Sequence, residues 1–158
     1  MKRRLILGVT MLAVFGAGAG IVWAQGRPNF SGEWVLNVKK STMATQGVES
    51  GTVRIDHKEP AFGFQRRFVT KNGPSEARYD LTTDDKEKVR TSGNVTRRSR
   101  MYWEGEELVL DEKGEMSGGT ATNVVRYRLE NGGAVLVARE TFNGPKLKYA
   151  NVWVFDRK

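Results

Sequence analysis

The sequence predicts an all-β fold: a single antiparallel up-and-down β-barrel of about 8–10 strands, following an N-terminal signal peptide. Three observations predict the barrel. From Glu33 onward, apolar and polar residues alternate in short runs, the period of a half-buried strand. Turn residues separate the runs at close spacing, so each strand pairs with its neighbour in sequence. No stretch beyond residue 24 keeps a helical period. A meander this long leaves two exposed edges unless it closes, and closure into a barrel removes both.

The first 24 residues have a different character. Met1-Lys2-Arg3-Arg4 is basic, Leu5 to Phe15 is apolar, and small residues run from Gly16 to Gly20, the order of a secretory signal peptide. Val22-Trp23-Ala24 offers a cleavage site, with Ala17-Gly18-Ala19 as a competitor. The glycines make the apolar stretch a poor permanent span, so no stable membrane span is expected once the signal is cleaved. The expected organisation is a signal peptide over 1–24 and one barrel domain over 25–158, secreted or periplasmic in a bacterium. There are no cysteines, so core and sheet alone must hold the domain. Removing Lys2, Arg3 and Arg4 takes the net charge from +8 to +5. This moderately basic balance favours anionic partners in general and, with export, argues against nucleic acid.

The elements follow in order. Glu33 to Lys39 is the first strand, and Ser41 to Gly51 a loop or one helical turn. Thr52 to Lys58 alternates, with Val53, Ile55 and His57 on one face. Glu59-Pro60 breaks it. Ala61 to Thr70 places Phe62, Phe64 and Phe68 together. Asn72-Gly73 marks a hairpin turn into Glu76 to Thr82, where Ala77, Tyr79 and Leu81 share a side. Strands over Glu87–Thr91, Val95–Trp103 and Glu107–Glu112 follow, then a loop over Lys113–Gly119. Thr122–Glu130, Ala134–Phe142 and Lys146–Asp156 complete the set.

Asn29-Phe30-Ser31-Gly32-Glu33-Trp34-Val35-Leu36 carries a Gly-x-Trp at the head of the first strand. With only meander strands after it, this resembles the calycins, the superfamily of lipocalins and fatty-acid-binding proteins. Tyr102 to Val109 looks like their aromatic-acidic-Gly hairpin. Arg139 to Gly144 and Val154 to Lys158 look like the closing strands of fatty-acid-binding proteins. The layout is also similar to small exported lipocalin-like proteins of bacteria. The resemblance implies a structural plug of Gly32 and Trp34, with Arg157 or Lys158 stacked on the indole. It also exposes two departures. Trp153 and Phe155 stand where fatty-acid-binding proteins place an anion-clamping Arg-x-Tyr, and Ser41 to Gly51 is too short for their helical lid.

A ligand cavity must come from inward-facing alternate residues. Phe62, Phe64, Phe68, Tyr79, Tyr127, Tyr149, Asn151 and Trp153 are the candidates, with Arg66 as the one arginine expected to turn inward and pair a ligand carboxylate. The other strand arginines, Arg97 included, are expected on a solvated outer face. His57, the single histidine, has no partner at metal-ligand spacing and is expected to be a hydrogen-bonded rim residue. Asp84-Asp85 and Asp111-Glu112 do not supply two carboxylates across a cleft, and no nucleophile motif is present. The expectation is a non-enzymatic barrel, without cofactor or metal, that binds a small hydrophobic or amphipathic ligand. The alternative is a filled barrel serving as a protein or envelope interaction module. Nothing in the sequence sets the oligomeric state.

Overall fold

The computed structural model describes residues 26–44, 47–116 and 118–158. The signal segment expected over 1–24 lies outside the described residues. The described chain forms β1 Gly32–Leu36, β2 Thr42–Met43, β3 Val48–Lys58, β4 Ala61–Thr70, β5 Gly73–Thr82, β6 Lys88–Ser92, β7 Val95–Glu104, β8 Glu107–Met116, β9 Gly119–Glu130, β10 Val135–Asn143 and β11 Lys148–Arg157. All neighbours pair antiparallel, in the order β5-β4-β3-β1-β11-β10-β9-β8-β7-β6, with β2 attached to β11. This is the expected up-and-down barrel.

Two local expectations are corrected. Where a loop or helical turn is expected over 41–51, the described residues include β2 and the start of β3. Asn151 holds Ala44 through an Oδ1 bond from its N–H of 2.8 Å, next to the short β2–β11 pairing, and β3 already begins at Val48. Where a loop is expected over 113–119, residues 113–116 continue β8 and Gly119 opens β9. β8 and β9 stay paired from Leu108↔Tyr127 to Met116↔Gly119. The segment's polar, glycine-containing sequence hides a strand because both faces there meet water or a polar cavity wall.

Closure is also incomplete. β5 and β6, at the two ends of the path, share no backbone ladder. Two bonds from the loop joining them narrow the gap at one end: Thr83 N–H to the Pro60 carbonyl at 2.8 Å and Asp85 N–H to the Met101 carbonyl at 3.0 Å. The expected removal of both edges therefore fails. A seam is left along the barrel wall.

The alternation sorts side chains as the strand period requires. In β3, Gly51, Val53, Ile55 and His57 are buried while Thr52, Arg54, Asp56 and Lys58 are exposed. The inner face is filled unevenly. Around Phe30, Trp34, Ile55, Phe62, Met101, Leu108 and Leu136, each 1% exposed or less, the barrel is solid. Each such side chain contributes about 1.5–3 kcal/mol of burial free energy. This is the closed end.

The closed end is capped by the Gly-x-Trp motif and the arm before it. Trp34 pairs in register with Arg157, and the Arg157 guanidinium carbon lies 4.1 Å from the indole centroid. Arg157 also donates to the carbonyls of Ser31 and Gly133, both at 2.8 Å. Gly32 makes this possible: a Cβ there would stand 2.5 Å from Arg157 Nη1. His57 lies beneath the arm rather than on an open rim, 7% exposed. Its Nδ1 accepts from Phe30 N–H at 3.3 Å, which leaves the proton on Nε2 to be donated to Glu59 at 3.2 Å.

Candidate ligand site at the open end and seam

At the other end the same inner face becomes polar. Phe64, Arg66 and Phe68 of β4 meet Tyr79 of β5, Glu112 of β8, Asn123 and Tyr127 of β9, Glu140 of β10 and Trp153 of β11 around an interior void of about 60 Å³. A cleft of about 460 Å³ opens along the seam between β5 and the β6–β7 hairpin. A third space of about 170 Å³ lies at the mouth, beside Phe142 and Tyr149. Tyr79 and Glu112 line all three. They form the wall between the seam and the interior.

The aromatic part is well ordered by contact. Phe64 packs on Tyr79 at 5.8 Å and on Tyr127 at 6.1 Å between centroids. Phe68 packs on Trp153 at 5.3 Å. The Arg66 guanidinium lies 4.7 Å over the Phe68 ring, within cation–π range. Gly51, across from Phe68, has no room for a Cβ, which would fall 2.2 Å from the ring.

The polar part has distinct partners. Glu140 accepts from Trp153 Nε1 at 2.8 Å and from Asn151 Nδ2 at 2.9 Å. Glu112, 6% exposed, accepts from Ser99 Oγ at 2.9 Å. Burial pushes its carboxyl above the ordinary glutamate value, against the opposing pull of Ser99, Arg97 and Arg90. Burial likewise raises Tyr79 and Tyr127, so both phenols stay neutral hydrogen-bonding groups. Arg66 Nε and Asn123 Oδ1 are buried with no hydrogen-bond partner. Buried polar groups are normally satisfied, so these two are spare donor and acceptor capacity facing a cavity.

Of the residues expected to line a cavity, Phe64, Arg66, Phe68, Tyr79, Tyr127 and Trp153 border the interior void, and Tyr149 borders the mouth. Phe62 and Asn151 share the inner face but serve elsewhere. Phe62 packs on His57 in the closed end, with centroids 5.5 Å apart, and Asn151 bridges Ala44 and Glu140. Arg97 is exposed, as expected, but the expectation that it lies on the outer face is corrected. It lies on the same face as the buried Ser99 and Met101 and lines both seam and mouth. The alternation Val95, Arg97, Ser99, Met101 carried that signal. Glu112, Asn123, Glu140 and Arg90 were not singled out, because a polar residue on an inner face looks like a break in the pattern.

Among the described residues no group of three or more histidine, cysteine or acidic side chains is placed to hold a metal ion.

No protein-family model and no curated protein matches the chain. Solved structures do. A secretory abundant heat soluble protein of Ramazzottius varieornatus superposes with a TM-score of 0.55 at 11% identity, over 81% of this chain and 94% of that one. Zebrafish ileal bile acid-binding protein in complex with cholic acid gives 0.49 at 13% identity, over 82% and 98%. Secretory abundant heat soluble protein 4 of R. varieornatus gives 0.49 at 12%, over 82% and 94%. At these identities the likeness is one of fold. The chain has a calycin-like, nearly closed β-barrel, as the Gly-x-Trp motif implied.

Proposed function

We propose that this barrel binds a small apolar or amphipathic molecule at its open end and seam, and that it acts as a binder rather than a catalyst. One observation carries this: three spaces meet at Tyr79 and Glu112, and the seam cleft of about 460 Å³ falls within the roughly 300–1,000 Å³ of small-molecule pockets. The aromatic rings line the void behind the wall, while the cleft itself sets Ala77, Tyr79, Leu81 and Val95 among charged side chains, an amphipathic lining. The closed half is filled with side chains and takes no ligand. His57, the residue an enzyme reading would need, is committed to Phe30 and Glu59.

The neutral dye N-phenyl-1-naphthylamine tests the proposal. It gains fluorescence on entering an apolar site. Uptake at one molecule per chain is expected, together with loss of uptake in Ala77→Trp, which fills the cleft from β5. An unchanged far-ultraviolet circular dichroism spectrum shows that the variant is folded. Absence of uptake by the parent protein overturns the proposal and favours the filled barrel acting as an interaction module.

We also propose that the protein is exported, on the basic–apolar–small order of residues 1–24. Expression of the full chain in a bacterium with a periplasm, followed by mass determination of the fractionated product, tests this. A product beginning near Gln25 supports export. An intact chain in the cytoplasm overturns it.

A further inference from the structure

The arginines of this barrel divide sharply. On the outer face each has a carboxylate within ion-pair distance, as in Arg54–Asp56, Arg67–Glu76, Arg78–Asp80, Arg100–Asp111 and Arg139–Glu107. The remaining outward arginines of the described chain, Arg27 included, are paired in the same way. Four arginines have no such partner: Arg66, Arg90, Arg97 and Arg157. Arg157 is occupied by Trp34 and two carbonyls. The other three line the seam or the void behind it.

Arg90 and Arg97 are also cross-strand partners. Like charges directly opposite on one sheet face repel and destabilise the pair. Among the described residues no carboxylate lies within ion-pair distance of either. Both side chains are exposed, and the Glu112 carboxyl, already bonded to Ser99, acts on both electrostatically. Apart from Arg157, the described arginines without a carboxylate in ion-pair distance thus all lie on the cavity side. A bound anion would remove the repulsion, and guanidinium forks match oxyanions in bidentate geometry.

The shape of the space limits the rest of the ligand. Beside the arginines the cleft offers Ala77, Tyr79, Leu81 and Val95 as an apolar wall. Behind the Tyr79–Glu112 wall only about 60 Å³ is open, room for a water or two. A long flexible tail therefore has no room in the interior void. The cleft suits a compact ring system.

We infer that the seam binds a compact aromatic or alicyclic oxyanion, its carboxylate or sulfonate on Arg90 and Arg97 and its ring against Tyr79, Leu81 and Val95. This rests on the proposed ligand-binding function and specifies its ligand class. The anion site lies on β6 and β7, not on the final strand.

Two dyes of nearly the same shape separate the two proposals. 1-Anilinonaphthalene-8-sulfonate differs from N-phenyl-1-naphthylamine by its sulfonate. The sulfonate dye is expected to bind at least tenfold more tightly at low salt. Arg90→Gln and Arg97→Gln, singly and together, are expected to erase that preference, the double variant bringing the two dyes' affinities within about twofold of one another. 2-Naphthoate is expected to displace the sulfonate dye at lower concentration than palmitate does, which identifies the ligand as compact and extends it from sulfonate to carboxylate. Failure of both dyes to bind overturns the binding function, and this inference with it. Equal affinity for the two dyes, a preference that survives the double variant, or tighter displacement by palmitate overturns this inference alone.

Discussion

The guanidinium carbon of Arg157 lies over the indole of Trp34, 4.1 Å from its centroid, with Gly32 leaving the space through which the side chain reaches Ser31. First and last strands are thereby fastened at the closed end by one side-chain stack in addition to their ladder. Gly32 has φ +147, where an L side chain is strained, and its Cβ would collide with Nη1. Gly32→Ala is therefore expected to lower stability by about 1–3 kcal/mol. Arg157→Gln is expected to cost about 0.5–2 kcal/mol for the stack alone. Urea unfolding followed by tryptophan fluorescence measures both.

Glu59 joins the arm, β3 and β7 at that same end. Burial opposes its ionisation, but hydrogen bonds from Thr83, Trp103 and His57 outweigh it and hold the carboxyl below the ordinary glutamate value. A depressed carboxylate stabilises the fold above its unfolded pKa, and this is lost as pH falls through the folded value. The parent protein is therefore expected to weaken on acidification below the ordinary glutamate range. Glu59→Gln should lose less over the same window. Melting temperatures against pH, with the near-ultraviolet signal of Trp103 as local probe, provide the comparison.

Glu112 has the opposite sign. Its folded pKa is raised, chiefly by burial, so its favourable contribution is complete below the unfolded value and disappears as pH rises through the folded one. Glu112→Gln keeps an acceptor for Ser99 and removes the buried charge. It is expected to melt higher than the parent at neutral pH, with the difference vanishing in acid. A variant that melts lower at neutral pH would show that the carboxylate is paired by something stronger than Ser99.

Arg90→Gln is expected to stabilise the empty protein by about 0.2–1 kcal/mol, since it removes one of two facing like charges. Thermal melts at low and high salt check this. The gain should shrink as salt screens the pair.

The closed end was legible from the sequence and the open end only partly so. Val53, Ile55, Phe62 and Phe64 announce their face because hydrophobic burial imposes a clean alternation. Lys113, Gly114 and Glu115 read as loop because the inner wall near the mouth is polar, which cancels the contrast that periodicity relies on. Arg66 was placed inward because two phenylalanines flank it on its own face. Arg97 does not announce its face although Val95 and Ser99 flank it there, since neighbouring Arg98 and Arg100 make the run look uniformly solvated. β2 could not be foreseen: two residues pair with β11 where Asn151 reaches Ala44, a contact set by tertiary packing. The seam was invisible for a related reason. The pattern says which strands are amphipathic but not whether the last gap closes.

The place of that gap has a consequence for chain connectivity. β5 and β6 are consecutive in sequence yet lie at opposite ends of the strand order, while β1 and β11 are neighbours in its interior, with Lys158 N–H bonded to the Glu33 carbonyl at 2.9 Å. A circular permutant opened within residues 84–87, with β11 linked to β1, would run as one uninterrupted meander from β6 to β5. Its new ends would fall where the wall is already unpaired, so relocating them leaves every backbone ladder of the barrel intact.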